Sequence, residues 1–258
     1  MAEAARASGR NRPGIVVSLL AAAAFAVLIA LGTWQVERLA WKETLLSTIA
    51  ERMAAAPVPL DEVVAAKAAG AEIEYRRVSV EGRFLHDREQ FFFATHAGRS
   101  GFYVYTPLQR ADGSLVFVNR GFVDMDLKDP ARRQAGQVEG EVRVVGLARE
   151  RLAEKPSSLV PDNDPAQNIF YWKDIEAMAA NARIDRTKLV DVFVDADATP
   201  NPGGYPVGAV TIIDLPNNHL QYAVTWYGLA LALAGVFVFR FFGRRPEGTE
   251  GEDRSPKS

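Results

Sequence analysis

The sequence predicts an α+β membrane protein in which two transmembrane helices flank an extracytoplasmic, mainly antiparallel β domain with one or two short helices. Two stretches contain no Asp, Glu, Lys or Arg, from Pro13 to Val36 and from Leu215 to Phe239. Each is long enough for the ~20 helical residues that cross a hydrocarbon core of about 30 Å. The long segment between them is polar, and its apolar residues alternate as they do in strands.

The apolar stretches divide the chain into five segments. These are a cytoplasmic N-terminal segment 1–13, a first span 14–35, an extracytoplasmic (periplasmic) domain 36–216, a second span 217–240 and a disordered cytoplasmic tail 241–258. Lys and Arg close to a span resist translocation, so they set its orientation. Arginines lie before the first span and after the second, at Arg6, Arg10, Arg12, Arg240, Arg244 and Arg245. Both termini are therefore predicted in the cytoplasm.

The N-terminal segment could instead be one of two cleavable targeting sequences, a secretory signal peptide or a mitochondrial transit peptide. A signal peptide has a shorter apolar region, followed by a small-residue cleavage site. Here the apolar stretch leads into Trp-Gln-Val-Glu-Arg at 34–38, which contains no A-x-A pattern. A mitochondrial transit peptide does not suit the few residues before Gly14, which include Glu3. The prediction is a two-span protein of a bacterial inner membrane.

Composition restricts the chemistry of the domain. The net charge of −2 gives no sign of nucleic-acid binding. The basic pairs 76–77 and 132–133 are interpreted as solvated strand or loop faces. The chain has no cysteine, which excludes thiolate catalysis, disulfides, iron–sulfur clusters and cysteine metal sites. His, Met, Tyr and carboxylates remain as metal ligands.

The domain contains several strand patterns. Alternating valines occur at 78 and 80, 142 and 144, and 192 and 194, and longer aromatic and β-branched runs cover 101–108 and 115–123. Asp112-Gly113 between the two runs indicates a hairpin. A compact antiparallel sheet, sandwich or barrel is expected. A turn cluster at 201–206 precedes a predicted final strand, Ala209 to Ile213.

Two short helices and a loop interrupt these strands. Pro57 and Pro59 precede a helix predicted from Leu60 to Ala69. A segment rich in proline, serine and acidic residues, 149–168, is predicted as a loop. Beyond it, apolar residues recur at helical spacing and predict an amphipathic helix over 172–181.

The sequence contains none of the common catalytic motifs. H-E-x-x-H, G-x-S-x-G, Walker and dinucleotide-binding patterns do not occur. The acidic residues at 124, 126, 129, 162 and 164 have turn-like neighbours, for which solvated loop acids are the usual outcome. We therefore expect a protein that is not an enzyme.

Aromatic and basic residues mark the outer end of the first span. Trp34, Arg38 and Trp41 recur at i, i+4 and i+7 and so share a helix face. The face can anchor the helix at head-group depth, or it can bind an amphiphilic ligand whose carboxylates pair with Arg38 or Lys42. Spacing alone favours the anchor.

The second span begins with a histidine. His219 has Tyr222 and Trp226 at i+3 and i+7. A neutral imidazole can ligate haem iron and aromatic side chains can cover a porphyrin, although a lone histidine beside a membrane is more often an ordinary interfacial residue. The other histidines, His86 and His96, are interpreted as loop residues.

These segments resemble the surfeit locus protein 1 family. The resemblance lies, in order, in LGTWQVERLAWK at 31–42, YRRV at 75–78, GRF at 82–84, VNRGFV at 118–123, YW at 171–172 and NNHLQYAVTW at 217–226. It extends from the first span through the second, with the same two-span layout.

The resemblance implies an inner-membrane assembly factor for cytochrome c oxidase that binds haem a and helps to supply it to the catalytic subunit. His219 matches the family histidine proposed as the iron ligand. Tyr222, Trp226 and Trp34 then become candidates for the walls of the site, and Arg38 for a propionate partner. The implied partners are the oxidase catalytic subunit and the lipid bilayer, with haem a synthase as a further candidate.

Two other function classes compete with haem handling. A scaffold that stabilises an oxidase assembly intermediate without haem would co-purify with oxidase subunits and would be colourless. An unrelated membrane-anchored enzyme or sensor is disfavoured, because the cytoplasmic ends are short and no catalytic constellation is present.

Overall fold

The computed structural model describes residues 12–211 and 216–242. They form two compact units, which we call the helix pair (12–46 and 216–242) and the sheet domain (47–211). The predicted cytoplasmic segments, 1–13 and 241–258, lie outside the described residues apart from their helical ends.

The helix pair consists of α1 (Arg12–Ala54), as far as residue 46, and α4 (His219–Phe242). Both helices are long and apolar enough to cross a membrane, and their 18-residue apolar windows have mean hydropathies of 2.7 and 1.8. The 43 residues of α1 extend over about 65 Å, about twice the thickness of a hydrocarbon core. The helix therefore continues well beyond residue 35, as the shared face of Trp34, Arg38 and Trp41 requires.

Small residues bring α1 and α4 close together. A Cβ added at Gly32 would lie 2.7 Å from the ring of Tyr227, and Ala223 and Ala230 are buried. The hydroxyl of Thr33 donates to the carbonyl of Ile29, so it accepts the hydrogen bond from the Tyr227 hydroxyl, 3.1 Å away. Small residues and interhelical hydrogen bonds are typical of helices that pack within a membrane.

The sheet domain is built on seven strands. They are β1 (Val58–Pro59), β2 (Arg77–Phe84), β3 (Gln90–His96), β4 (Arg99–Gln109), β5 (Leu115–Asp124), β6 (Glu141–Glu150) and β7 (Leu189–Ala196). Their order is β1-β2-β6-β7-β5-β4-β3, and β2 also pairs with β4. This last pairing closes β2, β6, β7, β5 and β4 into a barrel.

The pairing is mixed rather than uniformly antiparallel. The strand pairs β1–β2 and β5–β7 are parallel, and the other described pairs are antiparallel. The predicted hairpin joins β4 to β5. Strand β5 is buried at every position except its last, Asp124, as is usual for a strand that has a parallel partner and is covered on both faces.

Two short helices cover opposite faces of the sheet. Helix α2 (Leu60–Ala68) packs on the face that includes Val116 and Val118, whereas α3 (Ile175–Asn181) packs on the face that includes Phe117. The predicted helix 60–69 is confirmed. The helix predicted over 172–181 begins three residues later, because the carboxylate of Asp174 accepts the backbone N–H of Ala177 and caps it there.

Some sequence-based predictions for this domain are wrong. Ala209–Thr211 is not a strand, because Ala209 has a φ of +54°, which breaks the extended backbone; Ile212 and Ile213 lie outside the described residues. The loop predicted over 149–168 was placed two residues too early at its start, since β6 runs to Glu150. His96 is the last residue of β3 rather than a loop residue.

A buried ionic cluster was not foreseen. Arg132 is exposed as predicted, but Arg133 is buried and its guanidinium binds both carboxylate oxygens of Glu89. Arg120 is also buried, with its NH1 atom 3.7 Å from the same carboxylate. Its NH2 atom donates to the carbonyl of Gly136 and, at 3.0 Å, to the side-chain oxygen of Asn201. The cluster ties the residue before β3 to β5, to the segment 130–136 and to the loop that contains Asn201.

Candidate functional site

His219 is the first residue of α4, and its imidazole is held by α1. The Nδ1 atom lies 2.7 Å from Oε1 of Gln35. An amide oxygen only accepts hydrogen bonds, so Nδ1 carries the proton and donates it. The Nε2 atom of the neutral ring then keeps its lone pair, which is the form that ligates a metal ion. This is the arrangement expected of an iron-ligating histidine.

Gln35 is buried, with 9% of its surface exposed, and it lies between two exposed residues, Trp34 and Val36. Sequence reasoning did not identify it. A signal existed, because Gln35 is an amide at the end of the uncharged stretch of α1, where a polar side chain needs a partner on a neighbouring helix. The partner could not be read from the sequence, since His219 lies 184 residues away.

The aromatic residues near His219 on α4 differ in position. Seven residues separate Trp226 from His219, so on a regular helix they lie about 20° apart, and Trp226 is half-buried. Tyr222 is turned about 60° from His219 and is 53% exposed. The structure thus aligns Trp226 closely with His219 and places Tyr222 at the border of that face.

Arg38 and Trp41 are brought together on α1. The guanidinium carbon of Arg38 lies 3.8 Å from the centre of a Trp41 ring. A guanidinium stacked on its flat face keeps its in-plane N–H groups available for a carboxylate. Arg38 forms no ion pair within the described part of the chain. Trp34, 54% exposed, lies one helical turn before Arg38.

Lys42, the other predicted cation, is already engaged. Its ammonium group donates to the backbone carbonyl of Pro216, three residues before α4. This hydrogen bond joins α1 to the chain that leads into His219. Lys42 therefore supports the geometry of the helix pair, and Arg38 is the cation left to meet an anionic group.

The remaining histidines belong to the sheet domain. His86 donates from Nε2 to the carbonyl of Val138, and its Nδ1 atom faces Glu89 and Arg120. Over residues 12–211 and 216–242, no three His, Asp or Glu side chains gather into a metal-ion site. A lone imidazole such as His219 suits iron inside a macrocycle, because haem brings its own four nitrogen ligands.

Comparisons with known proteins agree on one family. The SURF1 family model matches residues 22–231. Surfeit locus protein 1 of Rattus norvegicus is 38% identical over 237 residues, covering 86% of this chain and 74% of the relative. The Homo sapiens protein is 39% identical over 233 residues, covering 84% of this chain and 74% of the relative.

A SURF1-like protein of Monosiga brevicollis is 38% identical over 244 residues, covering 89% of this chain and 88% of the relative. The matched region contains α1 from residue 22, the whole described sheet domain, and α4 as far as residue 231. It therefore includes Gln35, Arg38 and His219, which belong to the candidate site. The chain belongs to the SURF1 family.

Proposed function

We propose that this protein is an inner-membrane assembly factor for cytochrome c oxidase that binds haem a through His219 and assists its insertion into the catalytic subunit. Membership of the SURF1 family, known for oxidase assembly, supports the first part. One observation supports the second part, haem a binding. The Nδ1–H of His219 donates to Gln35, and this leaves Nε2 to ligate iron.

The surroundings of His219 suit an amphiphilic cargo. Arg38, stacked on Trp41 with its N–H groups outward, is the partner for a haem propionate. Trp226, Tyr222 and Trp34 supply aromatic surface for the macrocycle. The isoprenoid tail of haem a fits a membrane site, because each buried CH₂ contributes about 0.8 kcal/mol.

An assembly factor must release its cargo, and the ligand set supports release. His219 is the single histidine of the helix pair in the described residues. Iron held by one imidazole is bound less firmly than iron held between two strong ligands. Transfer to the oxidase catalytic subunit is then downhill. The protein acts as a carrier and chaperone, not an enzyme, with haem a synthase as the implied donor.

The proposed location follows from the helix pair. Both helices span a bilayer with the termini in the cytoplasm, and the sheet domain folds on the other side, in the periplasm of a bacterium. His219 and Arg38 then lie at the outer surface of the inner membrane. The relatives named above come from eukaryotes, and the bacterial compartment is part of this proposal.

The His219→Ala variant tests haem binding. We expect the full-length protein, purified in mild detergent from cells that make haem a, to show a haem a absorption spectrum. The variant is expected to lose that spectrum or to shift its Soret band, because iron loses its protein ligand. Added imidazole should restore the wild-type spectrum in the variant, since it can occupy the space left by the side chain and replace the single lost ligand.

Two controls make the result decisive. The variant must keep the wild-type circular dichroism, which shows that loss of haem is not loss of fold. A colourless wild type from haem-a-replete cells would contradict the carrier proposal. Oxidase subunits co-purifying with such a colourless protein would favour the scaffold function instead.

The Arg38→Gln variant tests the propionate contact. We expect the dissociation constant of haem a to rise about 3–10-fold, because a charge-assisted hydrogen bond at an exposed position is lost. Titration of the apoprotein with haem a measures this, with Arg38→Lys as the control that keeps the charge. Esterifying both propionates should remove the difference between wild type and variant. An unchanged affinity for the free acid would exclude Arg38 from the site.

A further inference from the structure

We infer that Gln35 is a positioning residue that fixes the tautomer and ring orientation of His219 and keeps its bond to iron weak enough for release. The inference rests on the proposed function, because it concerns the same iron ligand. It adds Gln35, a buried residue of α1, to the candidate site. The sequence analysis had assigned to that site only residues of α4 and of the exposed face of α1.

Geometry is the first support. The Nδ1 and Oε1 atoms are 2.7 Å apart, which is within the range of about 2.7–3.2 Å for an N–H···O hydrogen bond. Gln35 is buried between the helices, so its amide has little freedom to turn away. The close approach of α1 and α4 at Gly32, one turn before Gln35, sets the spacing that allows this contact.

The chemistry of the acceptor is the second support. A ligating histidine usually donates its other N–H to an oxygen, and that oxygen sets the basicity of the imidazole. A carboxylate acceptor draws the proton strongly and gives the ring imidazolate character, which strengthens the iron bond. A neutral amide orients the ring with much less of this effect. Glutamine at position 35 therefore combines a defined ligand geometry with a weaker bond.

The amide also couples haem binding to the packing of the helix pair. The hydrogen bond exists only while α1 and α4 keep their spacing, which depends on Gly32, Thr33 and Tyr227. If the helices separate, His219 loses the hydrogen-bond partner that orients its ring. Contact with a receiving protein that moves α1 relative to α4 would thus weaken the iron ligand.

The test compares Gln35→Leu and Gln35→Glu in the full-length protein, with Gln221→Leu as the matched control at an exposed position of α4. Three quantities are measured: the dissociation constant of haem a, the reduction potential of the bound haem, and its rate of transfer to apomyoglobin. Gln35→Leu is expected to weaken binding about 10–100-fold. Gln35→Glu is expected to lower the reduction potential and slow the transfer, because an anionic acceptor favours ferric iron.

The outcomes separate this inference from the proposed function. If His219→Ala abolishes haem binding but both Gln35 variants keep the wild-type affinity and potential, Gln35 has no positioning role and the carrier function stands. If both variants lose haem equally and the haem they retain has the wild-type potential, Gln35 is only a packing residue. If His219→Ala binds haem as the wild type does, the proposed function itself is wrong.

Discussion

Replacing Glu89 by glutamine is expected to lower the free energy of unfolding of the sheet domain by about 3–5 kcal/mol. Glu89 is the only carboxylate that faces two buried guanidinium groups in the described cluster, and 4% of the residue is exposed. Arg133 donates to both of its oxygens, and Arg120 lies 3.7 Å away. Glutamine keeps the shape but leaves two buried positive charges without a counter-charge.

The pKa values of Glu89 and Arg120 also indicate that the carboxylate stabilises the buried arginines. Burial alone would raise the pKa of Glu89, but hydrogen bonds from His86 and Arg133, with the charges of Arg133 and Arg120, bring it below its usual 4.5. Burial lowers the pKa of Arg120 to about 10, and Glu89 opposes this decrease. Without the carboxylate, Arg120 and Arg133 would repel each other with no opposing attraction.

Urea unfolding of the full-length protein in detergent, followed by circular dichroism of the strands, measures the loss. Glu81→Gln is the control, because Glu81 meets Arg143 at 3.9 Å on the surface and both side chains are more than 60% exposed. We expect it to cost less than about 1 kcal/mol. Equal losses for the two variants would show that the buried cluster contributes no more than a surface ion pair.

At low pH, the wild type and the Glu89→Gln variant should have the same free energy of unfolding. Since the pKa of Glu89 is lower in the folded protein than in the unfolded chain, its stabilisation is complete above about pH 4.5 and is lost as pH falls through the folded-state pKa. The two unfolding free energies should therefore converge in strong acid. A difference that stayed constant down to pH 2 would assign the loss to packing.

Local patterns in the sequence predicted the strands well, but not their partners. The alternating valines lie in β2, β6 and β7, and Asp112-Gly113 forms the predicted hairpin. The parallel pairing of β5 with β7 depends on which distant strand forms hydrogen bonds with the second edge of β5. No turn signal encodes that choice, because 64 residues separate the end of β5 from the start of β7.

Which charged residues are buried could not be predicted from local sequence either. Arg132 and Arg133 are adjacent and identical in type, yet one is exposed and the other is buried. What distinguishes them is Glu89, 44 residues away. Similarly, His219 became a candidate ligand through its residue type and the family resemblance, whereas its contact with Gln35 depends on the packing of two helices that are distant in sequence. Residue chemistry can be read locally, and pairing between distant residues cannot.

Replacing Gly121 by alanine is expected to lower the free energy of unfolding by about 3–5 kcal/mol. Gly121 has a φ of +125°, which L-residues with a side chain rarely adopt. An added Cβ would also overlap the carbonyl oxygen of Val207. That carbonyl accepts the N–H of Phe122 at 2.8 Å, and the N–H of Val207 returns a hydrogen bond of equal length, so the chain before α4 lies directly on β5.

Gly113→Ala separates the two causes of this loss. Gly113 also has a positive φ, +83°, but an added Cβ there would meet nothing within 4 Å. Its variant should therefore lose only the conformational part, about 1–2 kcal/mol. The difference between the two losses in unfolding free energy is the cost of displacing the segment around Val207. Urea unfolding of both variants measures this difference. If Gly121→Ala lost no more than Gly113→Ala, the close contact between β5 and Val207 would be easily relaxed, and the conformation of Gly121 alone would account for the need for glycine there.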